Sequence, residues 1–441
     1  MPSKCWQIFG LICLLMPALA SAGDAPPPLS LESTILFALH QNPAVMAEME
    51  KIKQSNFAVD EARAAYYPQV SMEARGGHEY DFPQATKSGS STVGKTASET
   101  NSGNLNLIVS QVLYNGFATD EEVYRRQALV NSSFYGSLIV IETTLQGAIG
   151  YYTDVWQYQR AVTESEEFLD SLKKMNDKII LMHEAGAESK TKREYIESRY
   201  AAAQSELNRN KALLADAFSN LESVTGPLPP FIAERPLQMD PTVRTLDSYY
   251  ELANKDNNHL RLNASDHSAV EHQIEEQEAA YDPVVSLELN GRVGHDNGGN
   301  IGNSMNGSAM LVMEYKLFDG FSRDSAEGRM RSQKTENEYR QEQLQRDTYK
   351  DIRKSYNQIA ATKQDLASNM KEILSSESLQ ELYRQQFELG EGDLITMVEG
   401  AERLHTAKIR SYKLEAGMVD DSYALLQKVG ALRKEGFCAS C

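Results

Sequence analysis

Four short stretches of the chain alternate apolar and polar positions with a period of two. Val70, Met72 and Ala74 fall on one side of Val70–Tyr80, with Ser71, Glu73 and Arg75 on the other. Leu105, Leu107, Val109 and Leu113 share a side of Asn104–Tyr114. Val285, Leu287 and Leu289 oppose Ser286, Glu288, Asn290 and Arg292, and Leu311, Met313, Tyr315 and Leu317 oppose Glu314 and Lys316. The period predicts strands over about 70–80, 104–114, 285–293 and 309–317. Alternation alone fits a membrane barrel or a half-buried soluble sheet equally well.

Between and after these stretches the period changes. Thr119 to Ala185 is free of proline, and no proline follows Pro283. Phe168, Leu172, Met175, Ile179 and Met182 recur at a 4-3-4-3 spacing. In the second half Ile352, Tyr356, Ile359, Leu366, Met370 and Ile373 fit the same 3.5-residue period, with Lys363 interposed. Such heptads predict coiled-coil seams. A helix of some 67 residues is a rod of ~100 Å, longer than a compact domain. Thr119 to Glu122 reads as a capping box at its start. Each rod meets a glycine break, His183–Ser189 and Glu388–Asp393, after which a helical pattern returns. The rods are therefore helical hairpins with tips far from the strands.

The chain is a tandem repeat. Ala64-Ala65-Tyr66-Tyr67-Pro68 recurs as Ala279-Ala280-Tyr281-Asp282-Pro283 at an offset of 215 (281 − 66), which also relates Asn42 to Asn257. Leu113-Tyr114-Asn115-Gly116-Phe117 recurs as Leu317-Phe318-Asp319-Gly320-Phe321 at an offset of 204 (317 − 113), which also relates Gly186 to Gly390 and Gly226 to Gly430. The difference falls between the strands, where the Gly/Ser/Thr-rich stretch Phe82–Gly103 is longer than its partner Asp296–Asn306. The predicted organisation is a signal peptide over 1–22, a first repeat over 23–226, a proline-rich linker over 227–245, a second repeat over 246–430, and a tail over 431–441. Lys4, the apolar run Ile8–Leu19 and Ala20-Ser21-Ala22 carry the signal.

Four strands have two open edges, and unpaired backbone groups in lipid cost several kcal/mol each. If the strands span a membrane, several protomers must close one barrel, with Glu73, Arg75, Glu288, Arg292 and Glu314 among its lumen candidates.

Composition narrows the field. At a net charge of −18 and a pI of about 5.0 the chain repels phosphate backbones, so no nucleic acid is expected as a partner. Cys438 and Cys441 form a terminal C-x-x-C with no βαβ context to activate it, and read as a tail disulfide. His267 and His272 stand five apart and do not share a helix face, so no metal is expected there. No phosphate-cradling, nucleophile-elbow or dinucleotide motif occurs, so neither catalysis nor a cofactor is expected.

The doubled motifs carry a resemblance. Ala64–Pro68 and Gln111-Val112-Leu113-Tyr114-Asn115-Gly116-Phe117 resemble the segments that lead into and out of the strands in the TolC family of outer-membrane factors. Leu39–Pro43 resembles the A-L-x-x-N-P motif of that family's N-terminal helix, and Phe387–Leu394 its helix-turn motif. The resemblance implies a mixed α/β membrane protein: a homotrimer closing a twelve-stranded barrel in outer-membrane lipid, above a periplasmic helical tunnel. Phe82–Gly103 and Asp296–Asn306 would face outside, and the linker would form an equatorial belt. Glu391, Asp393 and Glu399 are the implied acidic gate. Gly186, Lys190, Lys192, Arg193, Gly390 and Gly392 are the tip positions implied to dock a periplasmic adaptor beneath an inner-membrane ABC or other transporter. Lys190, Lys192 and Arg193 depart from the family pattern in their basicity. Type I protein secretion is the implied duty, with small-molecule efflux as the alternative. Without the resemblance, a soluble periplasmic coiled-coil adaptor also fits the helices.

Overall fold

The computed structural model describes residues 27–81, 98–236, 240–297, 300–389 and 391–433. The signal peptide, residues 82–97, Gly390 and the Cys438/Cys441 pair lie outside them.

Each repeat runs helix, helix, strand, strand, long helix, long helix. The first comprises α1 (Leu31–Gln41), α2 (Pro43–Arg63), β2 (Gln69–Asp81), β3 (Ser98–Tyr114), α3 (Ala118–Glu184) and α4 (Lys190–Thr225). The second comprises α5 (Leu246–Asp256), α6 (Asn258–Glu278), β5 (Val284–Asn297), β6 (Asn300–Glu314), α7 (Ser322–Glu388) and α8 (Leu394–Lys428). α3 and α7 each have 67 residues. Among the described residues no helix is apolar enough to cross a membrane.

The repeat is chemical as well as geometric. Asn42 caps α2 by accepting from the Ala44 N–H while its Nδ2 donates to the Val224 carbonyl. Asn257 caps α6 by accepting from the Leu260 N–H and donates to the Lys428 carbonyl. One asparagine thus starts a short helix and fastens the end of the hairpin in each half. The tyrosine of each Ala-Ala-Tyr turn donates to an aspartate in the first turn of the following rod, Tyr66 to Asp120 and Tyr281 to Asp324.

β2, β3, β5 and β6 form one antiparallel sheet in that order, and β2 and β6 leave their outer edges unpaired within the chain. The strands are longer than the alternation predicts. Ser98–Gly103 extends β3, and β5 and β6 close within two residues of each other, so most of the stretch Asp296–Asn306 is strand rather than loop. Asparagine, serine and glycine there hide the period because neither face is apolar. Conversely β6 ends at Glu314, so Tyr315 and Leu317 lie beyond it. A register shift between Val112 and Tyr114 puts Tyr114, not Leu113, opposite Val285.

The capping box is not used. α3 starts after Phe117, which has a left-handed backbone (φ 66°), and Thr119 lies inside the first turn, where its Oγ1 accepts from Asn115 Nδ2 at 2.8 Å. Gly116 and Phe117 are left-handed in succession, as are Gly320 and Phe321. A side chain on Gly116 would meet the Asp282 carboxylate at 2.7 Å and the Ala279 carbonyl at 2.9 Å, so only glycine fits this turn from strand to rod.

At mid-length the chain's first strand, β1 (Pro28–Leu29), pairs in parallel with β4 (Ile232–Ala233) of the linker. The Tyr152 hydroxyl lies 2.6 Å from the Leu29 carbonyl and 3.0 Å from that of Glu234, within reach of both. Leu145, Ile149, Trp156, Leu221, Phe231, Tyr423 and Leu425 fill the core around this belt.

Candidate channel wall and periplasmic tip

Strand register decides which side chains share a face. Glu73 pairs with Asn106, Asn106 with Arg292, and Arg292 with Asn306, a polar row across all four strands. On one side the next row is Arg75, Asn104, Gly294 and Ser304; on the other come Ser71, Ile108, Asn290 and Ser308 and then Gln69, Ser110, Glu288 and Met310. Glu314 follows at the end of the same face, opposite Val284. All five lumen candidates therefore lie on one face, and Arg75 pairs with Glu73 on it at 2.6 Å.

The other face carries Val70, Met72, Ala74, Leu105, Leu107, Val109, Val285, Leu287, Leu289, Val293, Met305, Leu311 and Met313. These side chains are open in the single chain: Met72 is 71% exposed, Leu311 69% and Met305 86%. An uncovered apolar sheet face of this size marks a contact with lipid or protein. From Val285 to Val293 the band is roughly 27 Å tall at ~3.4 Å per residue, against ~25 Å for the lipid-facing band of membrane barrels. Above it the face turns polar through two matched pairs, His78 with Asn101 at 2.8 Å and His295 with Asn303 at 2.7 Å. Below it sit exposed Tyr67, Phe117, Phe318 and Phe321, in the manner of an interfacial aromatic girdle.

At the far end, the two hairpin tips of one protomer meet. Phe168, Leu172 and Ile179 of α3, Ile196 and Ala203 of α4, and Leu394, Met397, Val398 and Ala401 of α8 form one buried cluster. Gly186 is left-handed (φ 72°) and closes α3. Gly392 has no room for a side chain, because a Cβ would stand 2.7 Å from the Phe387 nitrogen. Lys192 bridges the tips: its Nζ lies 3.1 Å from Glu188 and 2.9 Å from Asp393. Asp393 first and Glu188 second hold its ammonium above the ordinary lysine range. Asp393 is thus charge-paired inside one chain, whereas Glu391 and Glu399 stand exposed. Lys190 opens α4 exposed and Arg193 is half-buried one turn on. The unexpected basicity of this tip thus has one clear use, in Lys192. Gly390 lies outside the described residues.

A buried polar group in the rods escapes sequence reasoning. His405 of α8 is buried and stacks on Phe168 with ring centroids 4.4 Å apart. Glu164 of α3 and Glu206 of α4 flank its nitrogens at 3.9 and 3.6 Å, too long for hydrogen bonds, so charge holds the ring. Burial pulls the imidazole down, but the two carboxylates outweigh it and the net shift is upward. Lys408 adds a contact to Glu164 at 3.3 Å. A histidine in an apolar seam carries no signal until its partners on two other helices are known.

Residues 249–431 match the family described as Outer membrane efflux protein. No curated protein matches the chain. Among solved structures it superposes on a membrane protein from Pseudomonas aeruginosa with a TM-score of 0.78 at 15% identity, over 91% of this chain and 90% of that one. The outer membrane protein VceC of Vibrio cholerae gives 0.75 at 12%, over 91% and 96%. The outer membrane channel MtrE of Neisseria gonorrhoeae, in its open state, gives 0.74 at 13%, over 91% and 89%. Residues 249–431, most of the second repeat, are thus similar to the outer membrane efflux protein family, and the chain as a whole shares its fold with these outer-membrane channels.

Proposed function

We propose that the protein is the passive outer-membrane exit duct of a tripartite export system, working as a homotrimer. The observation that carries this reading is the open sheet with one apolar and one polar face. Its two free edges and its bare apolar face need further copies and lipid, and three copies of four strands make a barrel of conventional size. The polar rows through Glu73, Arg75, Glu288 and Arg292 then line a water-filled lumen. The coiled rods extend the duct across the periplasm, and their tips meet an adaptor and an inner-membrane transporter, which supplies the energy. Glu391 and Glu399, with Asp393 shared with Lys192, would set the charge at the tip.

For the cargo we propose type I secretion of protein, a reading that rests on the sequence resemblance. The family description favours efflux of small molecules as the second reading. Quantitative proteomics of culture supernatant from a deletion strain and its parent tests the first. Loss of one or a few large secreted proteins is the expected result. An unchanged supernatant, with raised retention of toxic small molecules, assigns efflux. Recovery of the mature chain as a stable monomer without detergent would overturn the duct itself.

A further inference from the structure

At the base of the sheet, α6 and the start of α3 bring together three side chains that no part of the duct requires. His272 Nδ1 lies 2.8 Å from Glu121 Oε2 and 3.9 Å from Glu275 Oε2. One donor atom from each of the three fits within 4.8 Å of the other two. His272 and Glu275 are one helical turn apart on α6, and Glu121 faces them from α3. Donors in a tetrahedral shell with bonds of ~2.0–2.1 Å stand roughly 3.3 Å apart, between the two measured separations, and three such donors leave the fourth position to water. The carboxylates also crowd each other. A cation between them would relieve that opposition.

The duplication shows that the scaffold does not need this cluster. At the equivalent positions, given by the offsets 215 and 204, the first repeat has Phe57 for His272 and Asp60 for Glu275, and the second has Ser325 for Glu121. The same short helix and rod are built without the histidine and without the glutamate of the rod. His267 is not part of the group. Its two nitrogens face Glu271 and Glu338 at 3.8 and 3.7 Å, and Lys334 already pairs with Glu271 at 2.8 Å. The five-residue spacing correctly separates the two histidines. It is α3, distant in sequence, that completes a ligand set around one of them.

We propose that Glu121, His272 and Glu275 form a binding site for a borderline divalent cation of the zinc class, one per chain, pinning α6 to the start of α3 beneath the barrel. One imidazole and two carboxylates suit that class better than calcium or magnesium, which take all-oxygen shells.

The test uses untagged full-length mature protein in detergent, carrying Cys438→Ser and Cys441→Ser so that the terminal thiols cannot bind the probe. Zinc chloride is titrated calorimetrically, and metal retained after desalting is counted by mass spectrometry. The expected result is one zinc per chain, with affinity reduced at least about tenfold by His272→Phe and by Glu121→Gln and unchanged by His267→Phe. His272→Phe installs the residue the first repeat already uses, and its fold is verified by circular dichroism. Failure to retain zinc, or equal affinity in the parent and His272→Phe, would overturn the site.

Discussion

The two hairpins have rods of identical length and differ in what they bury. In the first, Phe168, Leu172 and Ile179 of α3 cluster with Ile196 and Ala203 of α4 towards the tip, and farther from it the buried Ser165 of α3 accepts from Asn210 of α4. In the second, α7 buries Met330 and Asn337 near its start and then the stripe Ile352, Ser355, Ile359, Thr362, Asn369 and Ser376. One heptad row is apolar where it passes the belt, and the alternate row is polar throughout. Met370 of the predicted seam is 48% exposed, Tyr356 is only part-buried, and Lys363 leaves the seam to pair with Asp240 of the linker. Asn369 Nδ2 donates to the Ala407 carbonyl at 3.1 Å, but its Oδ1 is buried without a partner. The lesson is that rod length and break position make the repeat, while the seam's content sets how firmly each hairpin is closed. Among the described residues the α7 stripe is the more polar of the two.

The sharpest way to break this comparison is to empty both seams. Leu172→Ala should cost about 2–5 kcal/mol, because it opens a cavity at a fully buried site. Thr362→Ala should cost under about 1 kcal/mol, because the lost group is small and polar. Thermal unfolding in detergent, followed by circular dichroism, reads both, and equal losses would end the distinction. Next in size is Asn369→Leu, which should hold or raise stability by about 1 kcal/mol, since it removes an orphaned buried oxygen along with one hydrogen bond. A loss above about 2 kcal/mol would show that the polar seam is needed for register.

The pH response is smaller. His405 is held above its usual range, so its contribution is complete below about pH 6.5 and fades as the pH rises through the folded value. Glu164, lowered by His405 and Lys408 in spite of burial, and Glu206, lowered by His405, weaken the group again below about pH 4.5. Melting temperatures should therefore fall from about pH 6 to pH 8, and His405→Gln should flatten that slope. An unchanged slope would place the titration elsewhere. Smallest in stability is Lys192→Ala, at most about 1 kcal/mol for a solvent-accessible pair. Its larger effect should appear in single-channel recordings, where freeing Asp393 strengthens cation block. Replacing Glu391, Asp393 and Glu399 together by alanine should weaken it.

Much of this molecule is legible in sequence because its logic is periodic. The strand faces follow from period two, the rods from uninterrupted heptads, and the pairing of Asn42 with Asn257 from a fixed offset. What escapes is whatever departs from apolar periodicity. The tops of the strands are polar on both faces, and the α7 seam uses Ser355 and Thr362 where a search for apolar residues selects Tyr356. Likewise the start of α3 is set by the backbone of Gly116 and Phe117 rather than by Thr119. The clusters around His405 and His272 draw on helices far apart in sequence, so no local pattern announces them.

The short parallel pairing of Pro28–Leu29 with Ile232–Ala233 has a bearing on biogenesis. The first residues of the described chain find their partner only after some two hundred more have been made, and ring closure over that span is an entropically late event. The belt therefore cannot form before the linker has been made. Until the linker is made, Tyr152 lacks the Glu234 carbonyl and β1 has no strand to pair with, so the waist of the first half stays open. The clasp at mid-height would thus register that the second half has begun to arrive, which makes it a natural checkpoint between folding of the protomer and its assembly.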